Sequence, residues 1–132
     1  MLDEAQRAVE EFHRKCGLPV STNLTKLDRT RVKLRAKWMS EEIEEFLEAR
    51  DPVDQADAIA DLIYYAIGVF IEMGLDGGKI FEFVHKANMK KLGSEGKPRY
   101  DTNGRVAKPI GWVSPREQIS RWLKTIGRDS DT

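Results

Sequence analysis

The chain has 132 residues, enough for one domain with a modest core. Basic and acidic residues balance at 22 each and the isoelectric point is near 6.7, which excludes the broad positive field that nucleic-acid binding needs. A single cysteine, Cys16, excludes an internal disulfide framework and a thiolate metal site. It is expected to be a semi-buried residue near a helix end, in a protein of the reducing cytoplasm. The opening Met1-Leu2-Asp3-Glu4 is acidic, unlike a secretory leader, and the longest apolar stretch, 62–71, is too short to span a membrane. No nucleic-acid or membrane partner is expected.

Helix signals recur along the chain and strand signals do not. Asp3 followed by Gln6 predicts a capping box opening a first helix over about 3–15, stopped by Gly17 and Pro19. Residues 21–26 read as a loop. A second helix is predicted over about 28–50, with Val32, Ala36, Met39, Ile43 and Phe46 as its core-facing stripe. Asp51-Pro52 is an N-cap followed by a first-turn proline, so a third helix starts almost without a loop and ends at Gly74. Asp76 caps a fourth helix that carries Ile80, Val84 and Ala87 on one face and ends near Gly93. Turns this short make helices two, three and four antiparallel neighbours. Glycines and prolines from Gly93 to Gly111 predict a long irregular segment over 93–113, a length usually kept for function or disorder. Ser114-Pro115-Arg116-Glu117 predicts a capping box and a last helix to about Ile126, with 128–132 as a flexible tail. The expected whole is a single all-α domain over 1–127, a bundle of four to five helices.

Two acidic clusters stand out on the second and third helices, Glu41-Glu42-Ile43-Glu44-Glu45 and Asp57-Ala58-Ile59-Ala60-Asp61. At about 100° per residue, Glu41, Glu42 and Glu45 share one face, and Asp57 and Asp61 stack one turn apart. Glu44 and Glu48 point further round and read as solvated. From Ala56 to Met73 the third helix is apolar except for Asp57, Asp61 and Glu72, and such a helix is usually buried. Buried carboxylates need a cation, and no Lys or Arg lies between Asp51 and Gly78. Packing across the Asp51-Pro52 turn sets Glu45 opposite Asp57, and Glu41 or Glu42 opposite Asp61. The predicted result is a multi-carboxylate site for Mg²⁺ or Mn²⁺.

These motifs resemble those of the all-α nucleoside triphosphate pyrophosphohydrolases, the MazG, phosphoribosyl-ATP pyrophosphohydrolase and dimeric dUTPase relatives. The Glu-Glu-x-x-Glu cluster is similar to their first motif and 56–64 to their second. Val84-His85-Lys86-Ala87-Asn88-Met89-Lys90-Lys91 and Asp101-x-Asn103-Gly104-Arg105-x-x-Lys108-Pro109-x-Gly111-Trp112 resemble the MazG-like branch. The likeness covers roughly Phe12 to Pro115. Many relatives carry Glu-x-x-Asp as the second motif; here Ala58 stands where that Glu would be, with Asp57 one residue earlier. The resemblance implies a MazG-like bundle that assembles as a dimer or a dimer of dimers.

It also implies Mg²⁺-assisted attack of water at the α-phosphorus of a nucleoside triphosphate, releasing a monophosphate and pyrophosphate. The expected metal ligands are Glu42, Glu45, Asp57 and Asp61, with Glu41 or Glu42 positioning or deprotonating the water. Asn88 and Lys91 are expected to bind substrate, with Lys97, Arg99 and Lys108 of the basic loop. Trp38 is the candidate base-stacking ring beside Tyr64, Tyr65 and Trp112. His85 reads as structural. A di-iron bundle would want Glu-x-x-His on two helices; Glu10-Glu11-Phe12-His13 and Glu82-Phe83-Val84-His85 have that spacing, but neither acidic cluster of the second and third helices contains a histidine. A non-catalytic nucleotide-binding or helical interaction module is the alternative.

Overall fold

The computed structural model describes residues 1–93 and 95–130, the last four as backbone alone. Five helices carry the described chain: α1 Asp3–Cys16, α2 Arg29–Glu48, α3 Pro52–Met73, α4 Gly77–Met89, continued by a 3₁₀ turn Lys90–Leu92, and α5 Arg116–Ser130. No β-strand is present among the described residues, so the fold is all-α. The chain divides into two compact units, Leu2–Gly77 and the residues from Gly78 onward.

The first unit is α1, α2 and α3. Asp28 opens α2 by accepting the Arg31 N–H at 2.8 Å, and Asp51 opens α3 by accepting the Asp54 N–H at 2.9 Å, with Pro52 in the first turn. Gly74 closes α3 at φ 67°. Beside this end the Ser21 N–H donates to Ile71 O and the Thr25 N–H to Met73 O, which straps the 21–25 loop to the helix. The apolar core is small: Val9 of α1 against Ile67 and Ile71 of α3, with Val20 packed on it.

The start of α1 differs from the capping box expected of Asp3 and Gln6. The cap position is Leu2, which makes no side-chain cap bond. Gln6 instead reaches the far end of the unit: its Nε2 donates to Leu75 O and its Oε1 accepts the Gly77 N–H, each at 2.8 Å. Two orphan backbone groups after α3 claim the side chain that the local sequence pattern assigned to α1. Cys16, expected to be semi-buried, is exposed.

A larger correction concerns α2. Its expected core stripe faces outward: Val32 and Phe46 are exposed, and Ile43 is 48% exposed. The buried side chains of α2 are Arg35 and Glu42. At about 100° per residue, Arg31, Arg35, Trp38, Glu42 and Glu45 span only about 80°, and this charged stripe is what α2 turns to α3. α3 answers with Asp57, Asp61, Tyr65, Gly68 and Glu72, which span a similar arc. The helix interface is therefore polar along its length, and α3 is buried on one side only, since Ile59, Ile63 and Tyr64 are exposed.

In the second unit the irregular segment is more ordered than the sequence suggests. Tyr100 and Val106 form an antiparallel bridge, Asp101 N–H donates to Arg105 O at 2.8 Å, and Ala107 N–H to Arg99 O at 2.7 Å. The turn is held by Asp101 Oδ1, which accepts the N–H groups of Asn103 and Arg105. Asp-x-Asn-Gly here forms an Asx-turn, in which the aspartate side chain takes the place of a backbone acceptor. Ser114 does open α5, through the Arg116 N–H at 3.1 Å. α5 continues to Ser130, past the expected stop near Ile126; residues 131–132 of the expected tail lie outside the described residues.

Candidate active site

Three of the four predicted metal ligands come together. Glu42 and Glu45 of α2 and Asp61 of α3 each offer a carboxylate oxygen, and these oxygens lie within 4.8 Å of one another. The short Asp51-Pro52 connection and the facing stripes of the two helices bring this about. Glu42 is the deepest, 9% exposed, and its Oε2 is buried with no hydrogen-bond partner. Burial, then the hydrogen bond and the charge of Glu45, then the charges of Asp61 and Asp57, raise its pKa from 4.5 to about 7. Asp57 stands outside the set of three and contributes through its field. Glu41 is exposed. Ala58, where many relatives of the resembled class carry Glu, is buried.

The expected shortage of cations does not extend to the whole of α3. Glu72, the third acid of the apolar helix, has two cationic partners, both supplied by α2. Arg31 Nε donates to its Oε1 at 2.6 Å, and Arg35 Nε donates to its Oε2 in a short bond. Arg35 Nη1 also donates to Tyr65 O at 3.4 Å, and Nη2 lies 3.5 Å from His13 Nε2. His13, buried on α1, makes its other ring bond to Pro19 O at 2.9 Å. The guanidinium rests against Gly68: a Cβ there would come 2.9 and 3.0 Å from its two terminal nitrogens. Trp38 belongs to this assembly, with Arg31 and Arg35 each 5.2 Å from its ring centre and the Tyr65 ring 5.9 Å away. Sequence reasoning missed this network. The signal was an Arg-x-x-x-Arg repeat on α2, one helical turn apart and in phase with Glu42.

The second unit gathers the predicted phosphate-binding residues. A cleft of about 700 Å³ is lined by Lys90, Lys91, Lys97, Arg99, Lys108 and Trp112, with one acid, Glu95. Asn88 lines an adjoining hollow of about 740 Å³ with Lys91, Lys108 and Arg105. The Nζ atoms of Lys91 and Lys108 each sit 5.2 Å from the Trp112 ring centre. Trp112 Nε1 donates to Ala87 O at 2.7 Å, which anchors the ring to α4. Trp112 thus serves as a platform that holds two ammonium groups. His85, read as structural, is exposed.

An all-α bundle with clustered carboxylates on two facing helices defines a class of phosphoanhydride hydrolase, and the comparisons agree. The family pattern of phosphoribosyl-ATP pyrophosphohydrolase matches residues 9–88, which hold all four acidic side chains and the clamp around Glu72; the chain belongs to that family and is a hydrolase acting on phosphoric anhydrides. Among solved structures, a proposed NTP pyrophosphohydrolase from Exiguobacterium sp. 255-15 is similar, with 27% identity and a TM-score of 0.53 over 98% of this chain and 78% of that one. No curated protein matches. No single helix among the described residues is long and apolar enough to cross a membrane.

Proposed function

We propose that the chain is a Mg²⁺-dependent nucleoside triphosphate pyrophosphohydrolase, cleaving between the α- and β-phosphates of a (deoxy)nucleotide to give the monophosphate and pyrophosphate. One observation carries this reading. Glu42 Oε2 is buried and unpartnered, and it belongs to a carboxylate that crowds Glu45 and Asp61. Such an atom is costly without a cation. Every donor in the set is oxygen, the chemistry that suits Mg²⁺ or Mn²⁺. Glu42, Glu45 and Asp61 would hold the ion, with Asp57 as a further carboxylate. A divalent ion bound there supplies charge for the phosphate and acidifies a water.

The chain's own residues have these roles. Glu41, exposed beside the cluster, orients or deprotonates the attacking water, a role it shares with Glu42. Asn88, Lys91, Lys97, Arg99 and Lys108 bind phosphate oxygens, supported by the concentration of cations in their cleft. Trp38 contributes a ring near the base. Residues 1–127 act as one functional domain, and self-association as a dimer or a dimer of dimers covers the exposed apolar side chains Ile43, Phe46, Leu47, Val53 and Ile63. A compact monomer in sedimentation at micromolar concentration would remove that part of the reading.

The test is a panel of natural and modified nucleotides with Mg²⁺ in ¹⁸O-labelled water. Label in the monophosphate, with pyrophosphate released, is the expected result. Label in orthophosphate beside a diphosphate product would sink the α-phosphorus reading.

A further inference from the structure

We propose that the buried Arg31–Glu72–Arg35 clamp, seated on Gly68 and His13, is a positioning device that holds Glu42 and Asp61 within ligating distance of each other. The inference rests on the metal reading above. Glu42 and the two arginines lie on one stripe of α2, Arg35 seven residues and Arg31 eleven residues before Glu42. Glu72 and Asp61 lie on one stripe of α3, eleven residues apart. Eleven residues are about three turns, so clamp and carboxylates face the same way along both helices, about 16 Å apart. The Asp51-Pro52 turn ties the helices together at one end, and the clamp ties them at the other. The carboxylate set lies between these two fixed points.

The set needs such a restraint. Glu42, Glu45 and Asp61 bring carboxylate oxygens within 4.8 Å of one another, and like charges so close push the two helices apart. The apolar contacts that usually register two helices are sparse here, because Ile43, Phe46, Ile59 and Ile63 are exposed. What α2 and α3 bury against each other is mainly charge. Arg35 and Glu72 are each 3% exposed, and each carboxylate oxygen of Glu72 accepts from a different arginine of α2. Two guanidinium groups, one turn apart, fix the rotation of α2 as well as its height. Gly68 is part of the device, since a methyl group there would press on Arg35 and His13. Metal affinity is sensitive to residues that orient ligands without touching the ion, by about 10- to 100-fold.

The test compares full-length R31M/R35M/E72L, G68A and D61N with the parent by Mn²⁺ binding, read by electron paramagnetic resonance, and by kcat and KM for triphosphate. Removing all three charges together leaves no unpaired buried ion, so R31M/R35M/E72L is expected to fold. Its Mn²⁺ affinity and kcat should each drop at least about tenfold, with KM much less affected. G68A keeps every charge and displaces Arg35 only slightly; it should show the same pattern in smaller measure. Parent-like Mn²⁺ affinity and kcat in a folded triple variant would overturn the proposal. Should the triple variant fail to fold, parent-like values in G68A would do so. D61N separates the two readings. If D61N loses Mn²⁺ and the clamp variants do not, the clamp proposal alone fails; if D61N binds Mn²⁺ like the parent, the metal site itself is misplaced.

Discussion

Glu42 and Glu72 are the two buried glutamates of the described chain, and they sit on facing helices of the same unit in opposite electrostatic states. Glu72 has an arginine on each oxygen. Glu42 has an orphan oxygen, three other acids acting on it, and a pKa raised to about 7. Burial alone therefore says little about function. The informative property is whether the protein itself supplies the counter-charge. Where it does, the acid is architecture. Where it does not, the deficit marks a place for something that arrives from outside.

Five perturbations sharpen this contrast. The largest effect is on turnover. Asp61→Asn and Glu42→Gln should each lower kcat by about 10³-fold or more, the scale on which a transition-state charge is lost. The metal-free protein should keep its melting temperature or gain, because either change relieves crowded carboxylates. Pyrophosphate release and thermal melts in EDTA check both halves. Next comes stability. Glu72→Gln strands two arginines that are now ion-paired and should destabilise the fold by about 3 kcal/mol, read from urea unfolding. Glu42 would then be essential to activity and dispensable for folding, whereas Glu72 would be needed for folding and would act on turnover only through the placement of the carboxylates.

A pH dependence follows, with a sign opposite to the usual one for acids. Folded Glu42 keeps its proton up to about pH 7, while the unfolded carboxyl loses it near 4.5. Its stabilising contribution is complete below about pH 4.5 and is lost as pH rises through 7. The metal-free protein should melt about 10 °C lower at pH 8 than at pH 5 from this group, and Glu42→Gln should flatten that slope. Saturating Mg²⁺ should abolish the difference. The smallest effect is expected at the surface pair Arg121–Glu117 of α5, 2.6 Å apart but largely exposed. Glu117→Ala should change stability by less than about 0.5 kcal/mol.

Much of this was legible in the sequence because capping and turn chemistry are local. Asp28, Asp51-Pro52, Gly17 and Gly74 place the helix ends with little reference to tertiary contacts, and the short α2–α3 connection brings Glu42, Glu45 and Asp61 to one layer. What failed were inferences that assume apolar residues face inward. The Val32–Phe46 stripe misled because α2 buries a charged face, and periodicity cannot tell which of two stripes a helix will turn to its neighbour. Glu72 misled because its partners lie 37 and 41 positions away. Gln6 misled because a capping box and a long-range bond to Leu75 and Gly77 use the same atoms. The ordered 99–107 hairpin was hidden by its lack of alternating apolar residues.

The Asp51-Pro52 connection has a consequence for how this lineage can vary in length. Only Ala49, Arg50 and Asp51 separate α2 from α3. One residue inserted within either helix between this turn and the carboxylates would rotate everything beyond it by about 100° and pull Glu42 off the Asp61 face. The tip at 102–104 closes on itself through Asp101, so extra residues there disturb no helix. Insertions and deletions should therefore accumulate at the tip and be purged from the α2–α3 hairpin. A library of random single-codon insertions, selected for activity, would draw that boundary directly on the chain.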